Sequence, residues 1–110
     1  MTLTWQRQNI RPRHRFATSQ WGVDEKETII VRVEHDGLTG LGEAVPSTLY
    51  GQTLESSEAA LGAMARLLGD DPFAIEPITT RLLAAHNDQR AAIDGVDAVL
   101  HDWCGKRLGA

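Results

Sequence analysis

A predicted β-hairpin over residues 28–44 places the strongest limits on what this chain can fold into. The segment TIIVRVE at 28–34 is rich in β-branched residues, and its side chains alternate with a period of two, as in a half-buried strand. Asp36 and Gly37 favour the positive φ angles of a tight primed turn, after which residues 38–44 return as the partner strand.

A further strand and three helices complete the predicted fold. Residues 2–13 alternate less cleanly than the hairpin, but they favour an antiparallel strand beside it. From Thr53 the apolar period becomes that of a helix, which predicts helices over about 53–69, 75–86 and 90–106. The expected architecture is α+β: a three-stranded antiparallel meander followed by a helical bundle that covers one face.

The third predicted helix carries an apolar stripe close to the end of the sequence. Gly105 or Gly109 is expected to end this helix, since glycine adopts the left-handed stop conformation. We expect no following segment on which the stripe could pack, so the sequence resembles a chain cut at a junction. The stripe consists of Ile93, Val96, Leu100, Trp103 and Cys104.

Length and charge restrict the class of protein. A chain of 110 residues with 42% hydrophobic content builds one small domain, and a net charge of −4 argues against nucleic acid and anionic membranes as partners. The basic cluster Arg11, Arg13, His14 and Arg15 is interpreted as a solvated strand edge, with anion binding as the alternative. No apolar run reaches the roughly 18 residues of a membrane span, and the start of the sequence lacks a signal-peptide pattern. With its single cysteine, Cys104, the chain is predicted to be cytoplasmic.

The glycines of the second hairpin strand resemble part of a phosphate-binding loop. Gly40 and Gly42 have the spacing of a dinucleotide fingerprint, but position 45 is Val45 and the segment follows a hairpin turn. We interpret them instead as positions where a neighbouring element approaches the strand closely. Glu43 is a lone carboxylate, which favours a structural ion pair or hydrogen bond over catalysis.

Two features of the third helix invite a chemical interpretation. Asp94, Asp97 and His101 have helical spacings of three and four, which would place metal ligands on one face, but exposed polar positions explain them equally well. Cys104 lies on the apolar stripe, where a thiol behaves as a small hydrophobe and its pKa rises. We assign neither a metal site nor a catalytic residue.

Two predicted loops, at 16–26 and 45–53, have the composition of a small-molecule pocket wall. Both combine apolar or aromatic side chains with hydrogen-bonding ones, and the second connects the hairpin directly to a helix. Trp21 and Tyr50 have a second interpretation, as core or interface residues. The residues gathered by the two loops are Phe16, Thr18, Ser19, Gln20, Trp21, Leu49, Tyr50 and Gln52.

These motifs, in this order, resemble the N-terminal capping domain of the enolase superfamily. Within it the chain is most similar to the muconate-cycloisomerase-like group, and in particular to dipeptide epimerases of the L-Ala-D/L-Glu type. Muconate cycloisomerase and o-succinylbenzoate synthase are the alternative family members. The matching segments are RF at 15–16, TIIVRV at 28–33, DGLTGLGEAVP at 36–46, YGQT at 50–53, AID at 92–94 and HDWCGKRLG at 101–109.

The resemblance implies a substrate-covering role. In this family the capping domain closes over a C-terminal (β/α) barrel, which supplies lysine bases and Mg²⁺ ligands that this sequence does not contain. It therefore implies a capping domain at 1–90, a helix at 91–110 that leads into the barrel, no activity in this chain alone, and a homo-oligomer when the protein is complete. The implied substrate-binding residues are Phe16, Thr18, Gln20, Trp21, Leu49 and Tyr50.

The resemblance also bears on the substrate. Relatives often carry a second arginine in the first loop, facing the side-chain carboxylate of an acidic dipeptide, where this sequence has Gln20 and Trp21. We therefore expect a dipeptide whose second residue is neutral or apolar. The rival hypothesis is an α+β binding or oligomerisation module without catalysis, which buries the third helix against a partner chain.

Overall fold

Three antiparallel strands form a sheet in the computed structural model, which describes residues 1–10 and 26–109. The strands are β1 (Thr2–Ile10), β2 (Lys26–His35) and β3 (Leu38–Ala44), in the spatial order β1–β2–β3. The predicted meander is confirmed. Strand β2 begins at Lys26 instead of Thr28, and residues 11–13 of the first predicted strand lie outside the described residues.

The turn between β2 and β3 has the predicted geometry. Asp36 and Gly37 have φ angles of 50° and 75°, the left-handed pair of a primed two-residue turn, and they bring His35 opposite Leu38. Because the register is fixed at the turn, every second side chain of β2 faces the helices. These fully buried side chains are Ile29, Val31 and Val33.

Three helices follow the sheet, as predicted. They are α1 (Leu54–Met64), α2 (Ile75–His86) and α3 (Arg90–Leu108). A short 3-10 turn at Ala65–Leu67, which the sequence pattern did not indicate, extends α1 toward Gly69, whose φ of 75° allows the chain to reverse. Among the described residues no helix combines the length and the apolar character required to cross a membrane.

Side chains and glycine conformation fix the helix ends. The Thr53 hydroxyl accepts the Ser56 N–H at 3.0 Å, and the Ser56 hydroxyl accepts the Thr53 N–H at 2.9 Å, which forms a capping box at the start of α1. Helix α3 ends at Leu108, two residues beyond the predicted end, and Gly109 caps it with a φ of 76°, whereas Gly105 lies inside the helix. Of the two stops predicted from the sequence, Gly109 is therefore the one used.

Helix α3 lies almost against the backbone of β3. A Cβ atom added at Gly40 would be 2.5 Å from the carbonyl oxygen of Val99, and one added at Gly42 would be 2.8 Å from that of Gly95. Real Cβ atoms do not approach backbone this closely. The interpretation of Gly40 and Gly42 as points of close approach is confirmed, and it explains them without a phosphate ligand.

The apolar stripe of α3 packs within this chain, as expected for a helix that covers one face of the sheet. Its residues face the sheet and the other helices of this same chain, which precede α3 in the sequence. Trp103 is 1% exposed, donates its indole N–H to the carbonyl oxygen of His35 at 3.0 Å, and meets the rings of His35 and Phe73 edge-on. The stripe residues in the core are Ile93, Val96, Leu100 and Trp103, with Cys104 partly buried beside them.

Candidate functional site

The segment at 45–53, here called the β3–α1 loop, connects the edge strand to the first helix. Residues Thr48–Tyr50 form a 3-10 turn, and Gly51 closes it with a φ of 73°. The Tyr50 N–H donates to the Ser47 carbonyl at 3.1 Å, and the Gly51 N–H donates to the Thr48 carbonyl at 3.1 Å. The loop is therefore an internally hydrogen-bonded turn with a defined tip.

Two large apolar side chains project from this tip. Leu49 is 83% exposed and Tyr50 is 76% exposed, although both belong to residue types that usually contribute to a core. A single exposed apolar side chain is ordinary, but two neighbours on one fixed turn form a small surface that a ligand or another segment can cover. The alternative placement of Tyr50 in the core of this chain is thus wrong.

Gln52, which follows the tip directly, is buried instead of exposed. Its residue is 4% exposed, and its side-chain oxygen accepts the N–H of Ser47 at 3.0 Å. Its side-chain nitrogen is 3.5 Å from the carbonyl oxygen of Asp88, in the connection between α2 and α3. The sequence grouped Gln52 with Tyr50 in a pocket wall, and the structure places both in the lining of one cleft, with Gln52 largely buried.

An open cleft of about 350 Å³ lies between the tip and the connection from α2 to α3. Arg90, in its wall, lies 3.9 Å from Asp94 within α3. Nothing in the sequence indicated that this connection lies against the β3–α1 loop, since its polar residues have the composition of any helix-to-helix turn. The cleft is lined by Tyr50, Gln52, Asn87, Asp88 and Arg90.

Residues 16–25 of the other predicted loop lie outside the described residues, and Lys26, its last predicted residue, begins β2 instead. Of the six predicted substrate-binding residues, Leu49 and Tyr50 are placed by the structure, and both are on the tip. The basic cluster at 11–15 likewise lies outside the described residues. The predicted residues in the undescribed segment are Phe16, Thr18, Gln20 and Trp21.

The polar residues of α3 pair within the chain. Asp97 lies 3.6 Å from His101 and accepts a hydrogen bond of 3.5 Å from the Thr79 hydroxyl, while Asp94 lies near Arg90. In the part of the chain that the structure describes, no group of three or more His, Cys, Asp or Glu side chains is arranged to hold a metal ion. The interpretation of Asp94, Asp97 and His101 as polar surface positions accounts for these contacts.

Glu43 and Cys104 also have structural partners. The hydroxyl of Thr28, itself 1% exposed, donates to a carboxylate oxygen of Glu43 at 2.8 Å, the structural hydrogen bond that was predicted. The Cys104 thiol lies 3.4 Å from the carbonyl oxygen of Pro72. Partial burial, with a smaller contribution from the charge of Asp71, raises the pKa of the Cys104 thiol, which is the direction predicted for a thiol on the apolar stripe.

The amino-acid sequence matches one family over its whole length. The family described as mandelate racemase / muconate lactonizing enzyme, N-terminal domain, matches residues 1–110. Over 110 residues the chain is 32% identical to the L-Ala-D/L-Glu epimerase of Bacteroides thetaiotaomicron, and this alignment covers 100% of the chain and 29% of that enzyme. The chain therefore spans less than a third of the length of this relative.

Solved structures show the same fold. A dipeptide epimerase from Methylococcus capsulatus, complexed with Mg and the dipeptide L-Arg-D-Lys, superimposes with a TM-score of 0.77 at 26% identity, over 97% of this chain and 31% of that one. A dipeptide epimerase from Enterococcus faecalis V583, complexed with Mg and the dipeptide L-Leu-L-Tyr, superimposes with a TM-score of 0.84 at 23% identity, over 97% and 31% of the two chains. At that identity the second likeness shows the fold alone.

Proposed function

The chain belongs to the mandelate racemase / muconate lactonizing enzyme N-terminal domain family of the enolase superfamily, and from this premise we propose that it forms the substrate-covering part of a dipeptide epimerase. The observation that carries the proposal is the β3–α1 loop, a hydrogen-bonded turn that presents Leu49 and Tyr50 to the outside. Loops held by a rigid scaffold commonly bind substrate and exclude water from the reacting centre.

The proton-transfer groups are proposed to lie in the rest of the full-length protein. Relatives are about three times as long as this chain, which covers 29% of the Bacteroides enzyme. The family implies Mg²⁺, but the described residues do not fit it, because their carboxylates and histidines form no cluster that could hold a metal ion. We therefore assign magnesium to the remaining segment, together with the bases that remove and return the proton next to the carboxylate.

The proposed role of the tip residues is to contribute to substrate specificity. Leu49 and Tyr50 would cover the dipeptide once it is bound, and Phe16, Thr18, Gln20 and Trp21 would complete the wall from the other loop. The resemblance implies that the first loop offers Gln20 and Trp21 in place of an arginine that relatives often use for an acidic side chain, so the proposed substrate has a neutral or apolar second residue. A helix at 91–110 leading into the catalytic domain, and a homo-oligomeric complete protein, remain predictions.

The test uses the full-length protein in deuterated solvent with Mg²⁺ present. Loss of the α-proton signal of dipeptides, followed by proton NMR, is expected to be about tenfold more efficient for L-Ala-L-Leu than for L-Ala-L-Glu, since one pocket contact discriminates by about 10- to 200-fold. The 110-residue chain alone is expected to exchange no α-proton. Exchange by the isolated chain, or a strong preference for L-Ala-L-Glu, would contradict the corresponding part of the proposal.

Variants of Tyr50 test the covering role directly. Tyr50→Ala is expected to raise the KM of the full-length protein for its dipeptide, while Tyr50→Phe keeps the ring and serves as the matched control. If both variants retain the KM and the substrate preference of the parent, Tyr50 does not cover the substrate. The rival hypothesis of a binding module depended on a third helix in need of a partner, and α3 already packs inside this chain.

A further inference from the structure

Gln52 is buried in the middle of an exposed stretch. Its two neighbours, Gly51 and Thr53, are exposed, yet Gln52 itself is 4% exposed and directs its primary amide inward. A buried amide is costly unless its oxygen and nitrogen find partners, because each loses its hydrogen bonds to water. The contacts that compensate for this cost show what the side chain holds together.

The stronger contacts join Gln52 to Ser47 across the loop. The side-chain oxygen of Gln52 accepts the Ser47 N–H at 3.0 Å, and the backbone N–H of Gln52 donates to the Ser47 carbonyl at 3.0 Å. Both backbone polar groups of Ser47 are thereby bonded to residue 52. This closes the six-residue ring 47–52, which contains the tip.

A weaker contact joins the ring to the helical layer. The side-chain nitrogen of Gln52 is 3.5 Å from the Asp88 carbonyl, at the outer limit of a hydrogen bond. The Ser56 hydroxyl lies 3.4 Å from the Gln89 side-chain oxygen, a second link between the start of α1 and the same connection. By distance, the pairing with Ser47 contributes more to the shape of the loop than the contact with Asp88 does.

We propose that Gln52 is a positioning residue, whose buried amide fixes the β3–α1 loop so that Leu49 and Tyr50 are held at the substrate. This inference rests on the proposed function, since the tip is assigned to the substrate there. Gln52 does not touch the reacting atoms, and it acts through the ring that it closes. Its loss would weaken binding in the ground state and the transition state alike, which raises KM and leaves kcat unchanged.

Two variants of the full-length protein separate the hydrogen bonds from the packing. Gln52→Met keeps the length and apolar stem of the side chain but removes both side-chain hydrogen bonds, whereas Gln52→Glu keeps an oxygen that accepts the Ser47 N–H in either protonation state. Gln8→Ala, which deletes the same amide at an exposed position of β1, is the control.

Hydrogen exchange of the peptide covering 45–52 and steady-state kinetics with L-Ala-L-Leu provide the readouts. Gln52→Met is expected to lose about tenfold in amide protection and to raise KM about tenfold, at a kcat within about twofold of the parent. Gln52→Glu is expected to keep most of the protection, and Gln8→Ala to change neither quantity.

The outcomes distinguish this inference from the proposed function. Unchanged amide protection in Gln52→Met would show that the side-chain amide does not hold the loop. Lost protection with an unchanged KM would show that Gln52 stabilises the loop but does not affect substrate binding. Both results overturn the inference while the parent protein still epimerises dipeptides. If the parent turns over no dipeptide, the proposed function fails, and the exchange measurement still decides whether Gln52 holds the tip.

Discussion

Adding one methyl group at Gly40 is expected to destabilise the fold by about 3 kcal/mol or more. A Cβ at this position would lie 2.5 Å from the Val99 carbonyl oxygen and 2.9 Å from both the nitrogen and the Cβ of Trp103. Two of these three atoms belong to the helix backbone, so no side-chain rotation relieves the clash. Helix α3 would have to retreat from β3 by about 1 Å, and such a gap forfeits a quarter to a half of each dispersion contact along the interface.

Gly62→Ala provides the matched control, because it is the same chemical change with the opposite expected sign. In α1 the nearest atom to an added Cβ at Gly62 is on the Trp5 ring at 3.7 Å, an ordinary contact. Alanine should therefore stabilise the helix by about 0.5–1 kcal/mol through its higher helix propensity.

Urea and thermal unfolding of the chain, followed by circular dichroism, measure both changes. An unfolding entropy of about 2 cal/mol/K per residue converts 3 kcal/mol into a fall in Tm of about 13 °C for Gly40→Ala. A Gly40→Ala variant within about 0.5 kcal/mol of the parent would refute the close approach of α3 to β3, since surface changes have effects of that size.

Three further perturbations address the helix cap, the strand edge and the thiol. Thr53→Ala should lower the unfolding free energy by about 1 kcal/mol through loss of the cap, and Thr53→Ser should restore most of it in urea titrations. The Leu41 N–H, and to a smaller extent the Lys106 ammonium, lower the pKa of Asp102. The contribution of Asp102 to stability is therefore complete above the ordinary carboxyl pKa of about 3.9 and is lost as the pH falls through the lowered value. Asp102→Ala should remove that part of the acid dependence when thermal unfolding is measured as a function of pH. Cys104, whose pKa is raised by burial, should react with a disulfide reagent at pH 8 much more slowly in the folded chain than in urea, and equal rates would contradict its burial.

Asp102 and Lys106 have a role that a sequence motif does not explain. Because His35 and Leu38 flank a two-residue turn, the alternation of hydrogen-bonded pairs directs the backbone groups of Thr39 and Leu41 away from β2, toward the open edge of the sheet. The Asp102 carboxylate accepts the Leu41 N–H at 2.8 Å, and the Lys106 ammonium donates to the Thr39 carbonyl at 2.9 Å. Helix α3 thus covers part of an edge that would otherwise be open to pairing with another strand.

Local signals were sufficient for the elements themselves. Asp36 and Gly37 specify the turn and Thr53 specifies the start of α1, and each signal depends on residues a few positions apart. The same logic could not choose between Gly105 and Gly109, because glycine permits a left-handed stop without requiring one. The choice depends on how far the helix continues to make contacts in three dimensions.

Contacts between distant segments could not be predicted from the sequence pattern. The apolar stripe of α3 correctly predicted which face is buried, but a stripe does not identify the partner against which it packs. The partner is the strand that contains Gly40 and Gly42, more than fifty positions earlier than the residues of α3 that they meet. Two glycines in a strand indicate a close neighbour without identifying it.

In the β3–α1 loop, too, the sequence pattern could not predict the contacts of individual side chains. A loop has no period, so its composition could not tell which side chain faces inward, and it grouped the buried Gln52 with the exposed Leu49 and Tyr50. Covering a large apolar side chain contributes about 1.5–3 kcal/mol, so the tip offers binding free energy to whichever surface covers it. If that surface is the substrate, truncating Tyr50 raises KM and does not change the unfolding temperature of the full-length protein. If that surface is another part of the same protein, the unfolding temperature falls and KM stays constant. The two measurements together therefore identify what the tip contacts.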